Sequence, residues 1–360
     1  MLTLLRHLAQ KSKIMIIVYH IYDNWRTKKR FSSGNNESSS GSTHAGKSLS
    51  ESLAYINQVF DDYLTYSGIS PDMLREKRIL EIGPGDNMGV ALKFLLAGAK
   101  QVVCLDKFYS KRDTEQHCKI YREMRAHLND KERHIYDSII NLDGNININT
   151  EKLNYIHGIG IEEADKVLET GSFDLIVSRA VIEHIYDPDT AFSVMNGLLG
   201  SGGTMIHKID FRDHGLFSSK GFHSLTYLTI PDPVYKLMTY DAGNPNRKLI
   251  TYYTQKMKEL GYDSKILITY IIGSDTKIGP HKETILHGVD YSDSTISLIK
   301  NIRPRLQNRF KDMSDEELMV QGIFLIAKKN LALRSSILRK RIGFINLTHR
   351  YRSAPIENKR

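Results

Sequence analysis

The chain has 360 residues with 41% hydrophobic content, enough for one large domain or two small ones with a real core. Two cysteines, Cys104 and Cys118, are too few for a disulfide framework and point to a reducing, cytoplasmic setting; the longest early apolar run, Ile14 to Tyr22, is about half a bilayer span. The net charge of +9 sits at the ends: residues 1–32 carry +6, residues 331–360 carry +7, and the body between them is −4, which argues against a nucleic-acid substrate.

Residues 1–31 mix Leu, Ile and aromatic side chains with Arg and Lys. This is a basic amphipathic segment suited to peripheral contact with an anionic membrane surface. Residues 32–47 have the Ser/Gly/Asn composition of a flexible linker. At its end, Gly41 to Ser48 fits the P-loop pattern letter for letter, but no buried strand precedes it to fix such a loop under a phosphate. Ser48 then caps a helix and Glu51 completes a capping box. Leu53, Ile56, Phe60 and Leu64 share one face of that helix, and Gly68 ends it.

Arg78 to Asp106 organises the domain predicted over residues 48–330. Ile79, Leu80 and Ile82 form a short apolar run suited to a buried parallel strand, and Gly83, Pro84 and Gly85 force a tight turn. Apolar residues at helical spacing follow as far as Gly98. A second strand, Val102 to Leu105, ends on Asp106. Strand, glycine turn, helix, strand and carboxylate make one half of a doubly wound sheet. The free N–H groups of the helix face the turn, and an acid about twenty residues on can accept both hydroxyls of a ribose. A dinucleotide site would want its third glycine at position 88; Met88 stands there, with Gly89 one place late.

Further along, Leu153 to Ile156 reads as a third strand and Asp174 to Val177 as a fourth. Residues 198–210 hold a helix end, a Gly turn and a fifth strand. Ile266 to Ile272 gives the sixth strand and Met319 to Ala327 the last. Cap insertions fall at about 211–245 and 274–317, and residues 331–360 form a basic tail.

Glu81 to Asn87, EIGPGDN, resembles the first motif of class I S-adenosyl-L-methionine-dependent methyltransferases, with Asn87 in place of the third glycine. Asn tolerates the left-handed conformation better than most residues. Phe173 to His184, FDLIVSRAVIEH, is similar to the FDxIxSxxVxEH run of many members. The resemblance implies a Rossmann-like seven-stranded α/β sheet, its last strand antiparallel between the fifth and sixth, with S-adenosyl-L-methionine as cofactor. It places Gly83, Gly85 and Asn87 under the methionine part, Glu81 in support of the turn and the ammonium, and Asp106 on the ribose. Gly158 and Ile159 fall in the adenine loop, Ser178 ends the fourth strand, and the helix from Ser48 resembles a lid.

On the acceptor side, His207, Asp210, Asp213 and His214 follow one another at the end of the fifth strand, with His184 on the opposing loop and His223 further on. A His paired with a carboxylate is a competent base for an alcohol, whereas an amine needs little help. A metal held by Asp210, Asp213 and His214 is the weaker reading. The insertion's aromatics, Phe211, Phe217, Phe222, Tyr227, Tyr235 and Tyr240, with Asn and Arg beside them, suit a sugar ring, and the segment resembles methyltransferases linked to bacterial surface polysaccharides. The expectation is O-methylation of a sugar-containing or small-molecule acceptor. The alternatives are a non-catalytic cofactor-binding subunit of a glycan-assembly complex and an NAD-dependent sugar-modifying enzyme.

Overall fold

The computed structural model describes residues 12–34, 37–38, 42–143, 146–273 and 277–330. Residues 1–11, the basic tail 331–360 and parts of the 32–47 segment, Gly41 of the P-loop pattern among them, lie outside the described residues.

The central sheet is built from β1 (Arg78–Ile82), β2 (Gln101–Asp106), β3 (Leu153–His157), β4 (Phe173–Arg179), β5 (Leu199–Asp210), β6 (Tyr262–Ile271), β7 (Lys277–Lys282) and β8 (Val320–Lys329). Their order is β7-β6-β8-β5-β4-β1-β2-β3. The five strands from β3 to β5 pair in parallel, while β8 is antiparallel to both β5 and β6. The chain winds outward from β1 to β3 and then crosses back to β4, so the switch point lies between β1 and β4. Ligands bind at the carboxyl ends of strands there.

All seven expected strands are present, and β7 adds an eighth at the edge, antiparallel to β6. The second insertion therefore starts as a strand before it turns helical. Its sequence, KIGPHK, has no apolar run; a Pro-bearing, charged strand of this kind belongs at an edge.

The helices cover both faces: α1 (Lys13–Ser32), α2 (Leu49–Ser67), α3 (Gly89–Leu96), α4 (Thr114–Ala126), α5 (Asp130–Ile139), α6 (Pro188–Leu198), α7 (Asp232–Thr239), α8 (Ile250–Leu260) and α9 (Asp293–Ile302). Side chains alternate across each strand, so one strand feeds two cores. Ile79, Val102 and Cys104 face α2 to α5, while Leu80, Ile82, Val103 and Leu105 face α6, α8 and the first insertion. Helix α2 starts as its sequence dictates: the Ser48 hydroxyl accepts from Glu51 N at 3.2 Å and Glu51 accepts from Ser48 N at 2.8 Å.

The described end of the predicted linker is docked. His44 is buried and its N–H donates to Asp86 Oδ2 at 3.2 Å, while its carbonyl accepts from Gln116 Nε2 of α4 at 2.7 Å. Residues 42–47 are irregular, and among the described residues the strand ahead of them is only Glu37–Ser38, paired with Tyr109–Ser110 outside the central sheet, not the buried strand a P-loop needs. The described part of the N-terminal basic segment is a docked helix. Lys13 Nζ donates to Thr229 Oγ1 at 2.7 Å, the Asn24 side-chain carbonyl accepts from Asp241 N at 2.7 Å and Ala242 N at 2.8 Å, and Phe31 stacks on Phe108 at 4.3 Å. Helix α1 thus runs from the first insertion to the exit of β2.

That insertion is part of the core. Phe211, Phe217, Tyr227 and Tyr235 are buried, which removes them as faces for a sugar; Phe222 is half-buried and Tyr240 is exposed. The Arg247 guanidinium, 5% exposed, lies over the Tyr235 ring at 3.9 Å and donates to the carbonyls of Ile230 at 2.6 Å and Tyr227 at 3.2 Å. It holds the insertion together and is not available to an acceptor.

Candidate active site

The turn after β1 is closed by Gly83 N donating to Leu105 O at 2.8 Å, with Gly83 at φ +68° and Gly85 at φ +73°. Only glycine takes these angles without strain. Gly83 is also a packing requirement, because a Cβ there would overlap Val181 Cγ2. The departure at Asn87 has a different reason from the one expected. Asn87 does not adopt a positive φ; its Oδ1 accepts from Gly89 N at 2.7 Å and closes a side-chain turn ahead of α3. Its Nδ2 is buried without a partner. Gly89, the glycine one place late, lets Ile56 of α2 sit against α3.

Two carboxyls flank this turn. Glu81 is buried, with Cys104 Sγ 3.5 Å from its Oε2, and burial pushes its pKa up to about 7. Asp106, at the end of β2, is raised to about 6, again chiefly by burial. Gly158, at φ +85°, donates its N–H to Asp106 O at 3.0 Å, and Ile159 is partly buried beside the core. Glu81, Gly83, Gly85, Asn87, Asp106, Gly158 and Ile159 are therefore gathered at the carboxyl ends of β1 to β3. Ser178 pairs with Ile82 at the end of β4, but its side chain is turned away from the turn. It is fully buried and its hydroxyl pairs with His207 Nδ1 at 2.8 Å.

The acceptor residues divide sharply. His207 points into the core from β5 against Phe192, fully buried, and burial lowers its pKa to about 3; it does not reach the cleft. Asp213 is 1% exposed and accepts from the N–H groups of Gly215, Phe217 and Ser218 at 2.7–3.0 Å and from the Ser218 hydroxyl. These bonds staple the loop after β5 and leave Asp213 unfit as a base or as the third member of a metal site. His223 is likewise fixed between Leu298 O at 3.0 Å and Leu225 N at 3.1 Å. Asp210 binds the Arg212 guanidinium at 2.9–3.0 Å. Burial opposes its charge, yet the Arg212 hydrogen bonds outweigh that and hold the carboxyl below its usual range.

His184 and His214 do meet. Their rings sit edge to face at 4.8 Å, and His214 Nε2 is 4.0 Å from Asp210 Oδ2. Burial, helped by His214, lowers the His184 pKa to about 4, and His214 is lowered by burial too, so both rings are neutral at physiological pH. Glu183, quoted only as part of a motif in the sequence, joins them with its side chain 1% exposed. The loop that carries Glu183 and His184 is pinned by Asn246, whose N–H donates to Glu183 O at 2.7 Å and whose Nδ2 donates to Ile182 O at 2.9 Å and Ile185 O at 2.7 Å.

A second group not foreseen from sequence joins α2 to the sheet. Asp62 of α2 accepts from Arg179 at 2.7 Å, with Lys208 at 3.5 Å; all three are largely buried. Burial and then Arg179 lower the Lys208 pKa to about 8.

Residues 54–256 match the protein family described as a methyltransferase domain, and the chain belongs to that family. A methyltransferase domain speaks against the nicotinamide alternative. No curated protein matches the chain. Among solved structures it is similar to phosphoethanolamine N-methyltransferase 2 of Haemonchus contortus in complex with S-adenosyl-L-methionine (15% identity over 76% of this chain and 52% of that one, TM-score 0.40). It is also similar to an S-adenosylmethionine-dependent methyltransferase of Mesorhizobium loti (11% identity, 76% and 100%, TM-score 0.38) and to the CurJ carbon methyltransferase (11% identity, 81% and 57%, TM-score 0.35). The chain spans about half the length of the Haemonchus enzyme.

A carboxyl raised from 4.5 to about 7 in the folded state favours its neutral form, so its contribution to stability is complete below pH 4.5 and lost as pH rises through about 7. Urea unfolding of the cofactor-free protein will show Glu81→Gln losing less stability than wild type across that window. Parallel curves would refute the shift.

Proposed function

We propose that this methyltransferase acts on an oxygen of a sugar-containing or other small acceptor, and that the observation carrying this is the Glu183, His184 and His214 cluster beside the glycine turn. The chain's residues fit the cofactor: a turn without side chains at Gly83 and Gly85, an unpartnered buried amide at Asn87, and two buried carboxyls, Glu81 and Asp106. Gly83, Gly85 and Asn87 take the methionine part, Glu81 faces the ammonium, Asp106 the ribose, and Gly158 and Ile159 the adenine. Bound there, S-adenosylmethionine supplies a methyl group on a sulfonium, a good leaving group that needs no acid.

The remaining work is alignment and, for an alcohol, removal of its proton during attack. A nitrogen acceptor would not need the cluster. Tyr186, two residues beyond His184, meets Tyr240 edge to face at 4.3 Å, and the pair keeps part of its surface open to a sugar ring. Turnover to S-adenosylhomocysteine, assayed with sugar-containing alcohols against phosphoethanolamine, should favour the alcohols, and His214→Ala should lower their kcat by about 100-fold. Preference for the amine with His214→Ala at full rate would overturn the reading.

The acceptor is met at a membrane surface. No helix among the described residues is long and apolar enough to cross a bilayer. Helix α1, however, turns Ile14, Met15, Val18, Tyr19, Tyr22 and Trp25 outward, each 47–71% exposed, with Lys28, Lys29 and Arg30 at its end. An apolar-aromatic face edged by cations suits an anionic interface. Co-sedimentation with vesicles rich in phosphatidylglycerol should drop at least about fivefold in Trp25→Ser/Tyr22→Ser; equal sedimentation of this double variant and wild type would refute the contact.

A further inference from the structure

We propose that Glu183, His184 and His214 form a binding site for one divalent transition cation. Each offers a ligand atom, and these atoms lie within 4.8 Å of one another. Metal–ligand bonds near 2.1 Å set neighbouring ligand atoms roughly 3.0–3.4 Å apart, so a pair at the 4.8 Å limit must close by about 1.5 Å when an ion binds. His214, 29% exposed on the loop after β5, has the room to make that movement.

Two atoms in the cluster lack a hydrogen-bond partner among the described residues: Glu183 Oε2, on a side chain 1% exposed, and His184 Nδ1. A buried carboxylate oxygen and a buried lone pair with nothing to bind are costly, and native proteins rarely leave both unmet. The other oxygen of Glu183 is already held: Oε1 accepts from Asp210 N at 3.2 Å. Nδ1 of His184 has no hydrogen-bond partner among the described residues, so its lone pair is available in the tautomer protonated on Nε2. Support of the far atom by backbone is how proteins orient metal ligands.

One carboxylate oxygen and two imidazole nitrogens suit Mn²⁺, Fe²⁺, Co²⁺ or Zn²⁺ better than Ca²⁺, which wants all-oxygen shells. The neighbouring Asp210–Arg212 pair is internally neutralised, so no net charge repels the ion. Three protein ligands leave positions open. Val181, two residues before Glu183, packs on Gly83, so an acceptor oxygen entering an open position would lie at the cofactor end of the cleft. The catalytic meaning of the site rests on the oxygen-methylation reading; the binding itself does not.

Titration of the full-length protein with Mn²⁺, followed by electron paramagnetic resonance of the free ion and by nitrogen couplings on the bound ion, tests the site. One ion per chain should bind with couplings to two imidazoles, and Glu183→Gln and His214→Ala should each weaken it by at least about tenfold. Calorimetry with S-adenosylhomocysteine on both variants reports whether they fold. Uptake no better than that of a folded His214→Ala chain, or bound Mn²⁺ without nitrogen couplings, overturns the site. If turnover of an alcohol then persists in chelator, the oxygen-methylation reading survives alone; an intact Mn²⁺ site in an enzyme that methylates only amines would do the reverse.

Discussion

The contact between Val181 and the bare α-carbon of Gly83 sets the rest of this molecule. It lies at the switch point, where β1 and β4 leave the sheet side by side, and it holds because no Cβ stands between them. The backbone on both sides takes left-handed angles, at Gly83 and at Ala180 with φ +54°. A non-glycine residue held there signals a surrounding structure that over-determines its conformation. This contact joins the floor of the glycine turn to the loop carrying Glu183 and His184.

Other elements fix the joined turn and loop in place rather than add to their chemistry. Asn246 ties the loop to the first insertion by three hydrogen bonds, Arg247 ties the insertion to itself, and Asp213 rigidifies the loop that presents His214. Asp62 meets Arg179 and Lys208 at the ends of β4 and β5, which fastens α2 across the sheet. Buried charges of this kind are weak evidence of stability and better evidence of a fixed geometry. These contacts shape the cleft, and Glu183, His184 and Asn87 are among the buried side chains that keep an atom without a hydrogen-bond partner.

Much of the fold could be read from residues alone, for a physical reason. Buried parallel strands need continuous apolar runs, so Ile79 to Ile82, Val102 to Leu105 and Phe173 to Val177 announce themselves, and the capping box at Ser48 and Glu51 fixes a helix start within one turn. Edge strand β7 carries no such run and was hidden. On the side of the glycine turn, spacing alone brings the turn, the helix start and Asp106 to one end of the sheet, because they are contiguous in sequence. The acceptor side depends on which way a side chain points. His207, Asp210, Asp213 and His214 look alike as a cluster, yet the pleat buries the first, the loop's own amides take the third, and the fourth alone meets His184. Glu183 was passed over because a buried carboxyl has no sequence mark. The insertion's aromatics misled for the opposite reason: composition shows that a ring is present, not whether it faces water.

The most direct test of this account is calorimetric binding of S-adenosylhomocysteine to wild type and to Gly83→Ala, with circular dichroism to show that both are folded. The added methyl must displace Val181 and strain a left-handed turn, so the account predicts a folded variant whose affinity falls by at least about tenfold. A folded Gly83→Ala that binds the ligand as tightly as wild type would contradict it.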